Sequence, residues 1–537
     1  MKLIFNASIY TLDEHNPTAS AIAIDGGRVI AVGESQPLRQ ALASQASELE
    51  TLDAGGRAVI PGLTDAHIHL EHYALGLQKV DCETPTRLEC LHRVSERVRQ
   101  LPPQEWVLGH GWNQNNWQGG FGSASDLDAV APQNPVYLTA KSLHAAWANS
   151  AALKAASLDP DTPDPPGGRI GRDERGHPNG ILFESAMELV QAAIPEPTLE
   201  QVVGAIQAAL PDLAKMGLTG VHDFDRRRCF SALQALRQQD QLSLRVVKSI
   251  PLEDLPHAAA LGLRTGFGDD FLRVGSVKAF ADGALGPRTA AMLQPYEGEP
   301  DNRGMLLLDA EQLFEHGRMA VDAGFSLAVH AIGDRAIHEV LNALAQVRRY
   351  EREARVVRPS EPLALRHRIE HVQVIHPDDA GRLGELGIVA SMQPIHAPSD
   401  MRMADQYWGE RSRLAYAWRT QLDHAAVLAF GSDAPVESPN PFWGLHAAVT
   451  RRRLDGSPGP DGWYPEQRLS LQEALRGFTY APAYTAHIDD RLGKLAPGYL
   501  ADLLVLDRDP FLCEPDAIKE IRPLMTMVGG EWVFREI

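Results

Sequence analysis

Residues 58–72 read AVIPGLTDAHIHLEH: an apolar run closes on His67 and His69, one residue apart, with His72 just beyond. A short apolar run bounded by turn signals suits a buried strand. The His-x-His at its end suits either a metal site or a strand end that carries imidazoles, and the pair alone cannot decide. Seven later stretches repeat the strand pattern: LTGVHDF, LRVVKSI, RVGSVKAFA, FSLAVHAI, LRHRIEHV, GIVASMQPI and AVLAFGSDA, in alternation with helical patterns. Eight βα units close a TIM-type (β/α)8 barrel.

The flanks differ from this middle. KLIFNASIYTL and AIAIDGGRVIAVG alternate apolar and polar residues, as do ADLLVLD and LMTMVGGEWVFRE at the far end, with paired glycines marking turns. Two β-rich ends predict one small β-sandwich formed by both termini, residues 1–60 and 491–537, around a barrel spanning 61–490. From about residue 75 to 215 the chain is polar, Trp-rich and Pro/Gly-rich, including DPDTPDPPGGRIGRDERGHPNG. An inserted lid-like subdomain is expected there, because long connections in barrels carry active-face structure.

A formal charge of -19 on 537 residues excludes a nucleic-acid partner, which needs a basic face. No run approaches the roughly 18 apolar residues of a membrane span. Cys82, Cys90, Cys229 and Cys513 are scattered and form no CxxC pair, so buried thiols in a reduced, cytoplasmic setting are expected.

In a barrel the C-terminal strand ends meet at one mouth. His67 and His69 end the first strand, Lys278 lies near the end of the fourth, His330 ends the fifth, His371 the sixth and Asp433 the eighth. The later residues are spaced by about one βα unit, with a longer gap where the seventh strand intervenes. Imidazole nitrogen and carboxylate oxygen suit zinc and its neighbours. A lone histidine reads as core or loop; this ordered set reads as ligands. His72 and His222 read as packing or supporting residues, and His110 as a loop residue.

The blocks PGLTDAHIH, VKAFADGALGPRTA, VHAIGDRA, RIEHVQ, SMQP, GSDAPVESPNPFWGLHAAVTR and GKLAPGYLADLLVLD resemble the amidohydrolase superfamily. Within it they resemble the YtcJ-like group (amidohydrolase family 3), which includes N-substituted formamide deformylases, over essentially the whole chain. The resemblance implies one divalent ion on His67, His69 and Asp433 and a second on His330 and His371. Lys278, converted by carbon dioxide to a carbamate, would bridge them. It also implies a homodimer. On the residues alone Lys278 stays open: an ion pair with Asp282 or a substrate contact is the alternative, with a single-ion site as its consequence.

The expected reaction is hydrolysis of a non-peptide C–N bond, an amide, by hydroxide generated at the metal, with Asp433 as general base and then acid. A lactonase or ester hydrolase is the alternative on the same barrel, and a scaffold without catalysis is a third reading that the complete ligand set disfavours. For the small-molecule substrate, His396 in QPIHAPSD is a candidate hydrogen-bond donor to the carbonyl oxygen. Arg288 and Arg335 are candidates for polar groups, against salt bridges with Asp282 and Asp334. Trp112 and Trp147, with Trp117, Trp408 and Trp443, suggest a bulky or aryl substituent, against packing inside the insert.

Overall fold

The structure, a computed structural model, describes residues 1–43, 49–142, 144–357 and 365–537. Eight parallel strands form the barrel: β1 (Leu63–Ile68), β2 (Leu218–Asp223), β3 (Arg245–Pro251), β4 (Leu272–Phe280), β5 (Leu327–Ala331), β6 (Arg368–His371), β7 (Val389–Met392) and β8 (Leu428–Phe430). Each strand pairs with its sequence neighbours, and Ile68 bridges in parallel to Ala434, past β8, to close the ring. All eight overlap the stretches expected from the sequence, with β3 ending one residue later and β4 starting one residue earlier than those stretches. They are buried on both faces, which is why they read as near-continuous apolar runs rather than alternating ones.

The first of those stretches does not form one strand. It divides at Gly62 into Ala58–Pro61, which pairs antiparallel with Leu503–Leu506, and β1 of the barrel. A Cβ at Gly62 would lie 2.4 Å from the Thr219 side chain on β2, so the chain passes this close only without a side chain. KLIFNASIYTL also divides, at Asn6, whose φ of 53° turns the chain between Lys2–Phe5 and Ser8–Tyr10.

Those two pieces enter different sheets. One sheet orders Arg28–Gly33, Ala21–Asp25, Lys2–Phe5 and Glu50–Asp53. The other orders Glu531–Arg535, Pro523–Val528, Leu503–Leu506, Ala58–Pro61, Ser8–Tyr10 and Thr18–Ala19, so both ends of the chain share it. Ile4, Ile22, Ile24 and Val29 from the first pack against Ile9, Val59, Leu503, Val505, Met525 and Met527 from the second. Arg245 at the start of β3 ties this sandwich to the barrel. Its guanidinium donates to both oxygens of Asp502, at 2.6 and 2.8 Å, and both side chains are buried.

Residues Ala74–Ala205 form a compact unit of their own, ending earlier than the expected 215; Met1–Tyr73 and Ile206–Ile537 form the other. The inserted unit has a six-stranded sheet in the order Gly168–Arg172, Pro178–Glu184, Ala145–Ala148, Val136–Ala140, Val107–Trp112 and Val80–Asp81. Its polar and Pro/Gly-rich composition hides two apolar cores, one around Trp112, Trp117 and Trp147 and one around Tyr137, Ile170 and Leu182. Among the described residues no helix is long and apolar enough to cross a membrane.

Asp502→Ala strands the Arg245 cation in a buried site and is expected to cost about 3–5 kcal/mol. Chemical denaturation of the variant should show the loss as a lowered midpoint, and an unchanged midpoint would remove this pair as the anchor between sandwich and barrel.

Candidate metal centre

The strand ends bring the expected residues together. Nε2 of His67 and of His69 lie 3.5 and 3.4 Å from Oδ1 of Asp433. Donor atoms of His67, His69 and Asp433 all fall within 4.8 Å of one another, as do those of His371, His396 and Asp433, so each triad could hold an ion. The two triads share Asp433. The rings of His67 and His371 are 4.9 Å apart and those of His330 and His371 4.5 Å apart, which places all four expected histidines in one cluster. His396 enters it from the start of the helix after β7, its ring nearly parallel to that of His371 at 6.5 Å.

Each histidine is oriented by its outer nitrogen. Nδ1 of His67 donates to Glu370 at 2.7 Å, Nδ1 of His69 to Asp225 at 3.1 Å and Nδ1 of His371 to Gln393 at 2.8 Å. Nε2 of His330 donates to the Gly283 carbonyl at 2.9 Å, which leaves its Nδ1 for a ligand. Protein metal sites commonly fix the imidazole tautomer in this way, one nitrogen anchored and the other kept free. The donor set therefore fits a divalent cation.

The backbone is bent to the same end. Asp433 and His371 have φ of 60° and 77°, the left-handed region that β-branched and bulky residues avoid. Asp65 fixes the approach of β1 to the turn after β8: Oδ1 accepts the His67 and Ser432 N–H groups, both at 3.0 Å, and Oδ2 accepts the Ser432 hydroxyl. A Cβ on Gly431 would lie 2.4 Å from the His67 nitrogen, so glycine is required where the two segments meet.

Burial and then the neighbouring Lys278 push His67 down to about 4 and His330 down to about 3, so both imidazoles are neutral at ordinary pH and can offer lone pairs. Burial opposes ionisation of Asp433 as well, yet His67, His69, His371 and His396 hold it well below the usual carboxylate range. His69 shows the complementary effect: against its burial, Asp225 and Asp433 raise it to about 9. The gap between His69 and Asp433 thus favours positive charge, and a cation there takes the place of the proton.

Lys278 is buried, and burial pushes its amine down to about 8. It makes no ion pair with Asp282, whose carboxylate instead accepts the N–H groups of Ala291, Ile332 and Gly333 at 2.8–3.0 Å. The ammonium nitrogen lies 4.6 Å from the Phe224 ring centre and 5.0 Å from that of Phe280.

Other expectations are corrected. Trp112 and Trp147 are 1% and 0% exposed, with indole N–H groups spent on the Leu138 and Ser123 carbonyls, so neither offers a face to a ligand. Trp408 is likewise buried, while Trp443 is half-buried. Arg288 pairs with Glu299 rather than with Asp282. Asp334 accepts the Leu293 N–H at 2.8 Å, and among the described residues it holds no arginine.

Several supporting residues escaped the sequence reading. Glu370 was visible in RIEH but had no assignable role; it is fully buried between His67 and Arg368. Arg368 also donates to His222, Ala66 and Ser391. Asp225 holds His69 and, at 2.6 Å, the exposed His72. Lys248 on β3 is buried against Asp223 at 2.9 Å.

The whole chain has relatives with this architecture. The family model Amidohydro_3, the amidohydrolase family, matches residues 50–534. The putative amidohydrolase YtcJ of Bacillus subtilis (strain 168) is 31% identical, with 100% of both chains covered. The N-substituted formamide deformylase of Arthrobacter pascens is 31% identical over 98% of this chain and 97% of its own length. The crystal structure of an uncharacterized metal-dependent hydrolase from Pyrococcus horikoshii OT3 superposes with a TM-score of 0.77 at 28% identity, covering 96% of this chain and 99% of that one. The chain belongs to the amidohydrolase family.

Proposed function

We propose that the protein is a metal-dependent hydrolase of the C–N bond in a small non-peptide amide. The carrying observation is the convergence of four anchored histidines on the ionised Asp433 at the barrel mouth. His67, His69 and Asp433 would hold one ion, and His330 and His371 a second, with zinc favoured by the donor types. Bound there, a divalent ion supplies Lewis-acid chemistry: it makes water acidic near neutral pH and polarises a carbonyl.

The remaining work belongs to the chain. Asp433 accepts a proton from the attacking water and delivers it to the leaving nitrogen, so that amide and water become carboxylic acid and amine. His396 is buried beside this group, its Nε2 without a hydrogen-bond partner among the described residues, and there it would donate to the carbonyl oxygen as that oxygen gains charge. Lys278 is read as a carbamate ligand. Its support is a buried amine with no carboxylate ion pair among the described residues, depressed enough that the neutral form needed to attack carbon dioxide is available. The formamide deformylase among the relatives supports an amide as the substrate, and a formamide in particular.

Metal-reconstituted protein assayed on formamides, acetamides, lactones and phosphotriesters should be fastest on an amide; higher turnover of a lactone or phosphotriester would overturn the amide assignment. Asp433→Asn should keep bound metal and lose turnover by roughly a hundredfold or more, and near-normal turnover would take Asp433 out of the proton path. Glu370→Gln weakens the hold on His67 and should lower metal affinity roughly 10–100-fold, measured by competition with a chelator. Carbon-13 bicarbonate supplied during metal loading should give one carbamate resonance in the wild type and none in Lys278→Met; its absence from the wild type would make Lys278 a plain amine.

A further inference from the structure

The Trp112 and Trp147 side chains are buried inside the inserted unit and offer no face to an aryl substrate. The barrel mouth supplies one instead. Side chains alternate along a strand, so Phe280 leaves β4 on the same side as Lys278, roughly 7 Å further toward the C-terminal end. Lys278 is 5% exposed, but Phe280 is 49% exposed. Its ring centre is 5.2 Å from that of His330, tilted by 39°, and 5.0 Å from the Lys278 nitrogen.

The chain then returns alongside it. The Leu307 N–H bonds to the Ala281 carbonyl at 2.7 Å and Leu306 bridges antiparallel to Asp282, so the segment carrying Met305 and Leu307 runs back alongside residues 281–283, just past β4. Met305 and Leu307 are 53% and 51% exposed. Three large apolar side chains uncovered at the edge of a polar, cation-seeking cluster make the composition of a ligand site, apolar walls with a few placed polar groups.

We propose that Phe280, with Met305 and Leu307 beside it, receives an apolar and preferably aryl substituent of the substrate and so determines specificity. This rests on the reading of the cluster as an amide hydrolase. An aromatic ring held against the Phe280 face gains area burial and ring–ring contact that a methyl group does not, so the residue discriminates between substrates instead of serving all of them.

The test compares wild type with Phe280→Ala and Phe280→Leu after metal loading. Two substrate pairs are used: N-benzylformamide against N-methylformamide, and phenylacetamide against acetamide. In Phe280→Ala the aryl-to-methyl ratio of kcat/KM should fall about tenfold or more in at least one pair. The loss should appear mainly in KM, with metal content unchanged and partial recovery in Phe280→Leu. Ratios within twofold of wild type in both pairs would overturn the proposal, as would equal losses on all four substrates with loss of metal, which mark a mere support for His330. A second measurement needs no turnover: ligand-observed NMR of benzylamine and phenylacetate, the hydrolysis products, on metal-free protein. One of them should bind wild type and bind Phe280→Ala at least fivefold more weakly. Absence of Phe280-dependent binding overturns the proposal; such binding without hydrolysis of any amide overturns the catalytic reading alone.

Discussion

The ion pair between Arg368 and Glu370, out of reach of solvent inside the barrel, is the constraint on which the site depends. Two charges in such a place cost several kcal/mol each unless every donor and acceptor is met. Here they are met by the barrel itself. Arg368 gives its remaining N–H groups to Ala66 on β1, His222 on β2 and Ser391 on β7, so one side chain on β6 fixes four strands. His222, driven well below its usual range by burial and by this guanidinium, stays neutral and can accept. Glu370 then has an oxygen to spare for His67. The fold's polar interior and the orientation of His67 are one network.

That network explains what could be read in the sequence. The candidate ligands were legible because each lies at or near a strand end, and strand ends are marked by the change from apolar runs to turn residues. The order of His67, His69, Lys278, His330, His371 and Asp433 already matches the order of strands around a closed ring. Supporting residues carry no such mark. Glu370 is 303 positions from its partner His67, and Asp225 is 156 from His69; nothing local says which carboxylate faces which ring. The tryptophans misled for a related reason: abundance of aromatics in a segment says nothing about which way the rings face. In the inserted unit they face inward, Trp112 against Trp117 at 6.0 Å and Trp117 against Trp147 at 5.8 Å. Phe280 went unnoticed as one residue of an apolar strand end, and only its exposure separates it from its neighbours.

Strand boundaries failed where a single residue redirects the chain. Gly62 and Asn6 each sit within an apolar run that reads as continuous, because periodicity records burial and not sheet membership. The crossing is made by one residue without a side chain and one left-handed residue, neither of which interrupts the pattern enough to be seen. The sandwich as a whole was still legible, since its hairpins announce themselves by glycine pairs: Gly26–Gly27 and Gly529–Gly530 all adopt positive φ.

The shared terminal sheet has a bearing on how the protein is made. Ala58–Pro61 emerges from the ribosome early, but the strand it pairs with, Leu503–Leu506, is among the last to be synthesised. Contacts of such sequence separation form slowly, because a long loop must close before they reward it. Until then the apolar edge of the early strand is exposed, and the His-x-His stretch at the far end of β1 has no settled frame at its upstream side. The histidine pair is therefore among the first functional groups translated and among the last to be locked in place. A nascent chain of this kind depends on remaining soluble while it waits, and the excess of acidic over basic residues, 70 against 51, supplies the repulsion that keeps such chains apart.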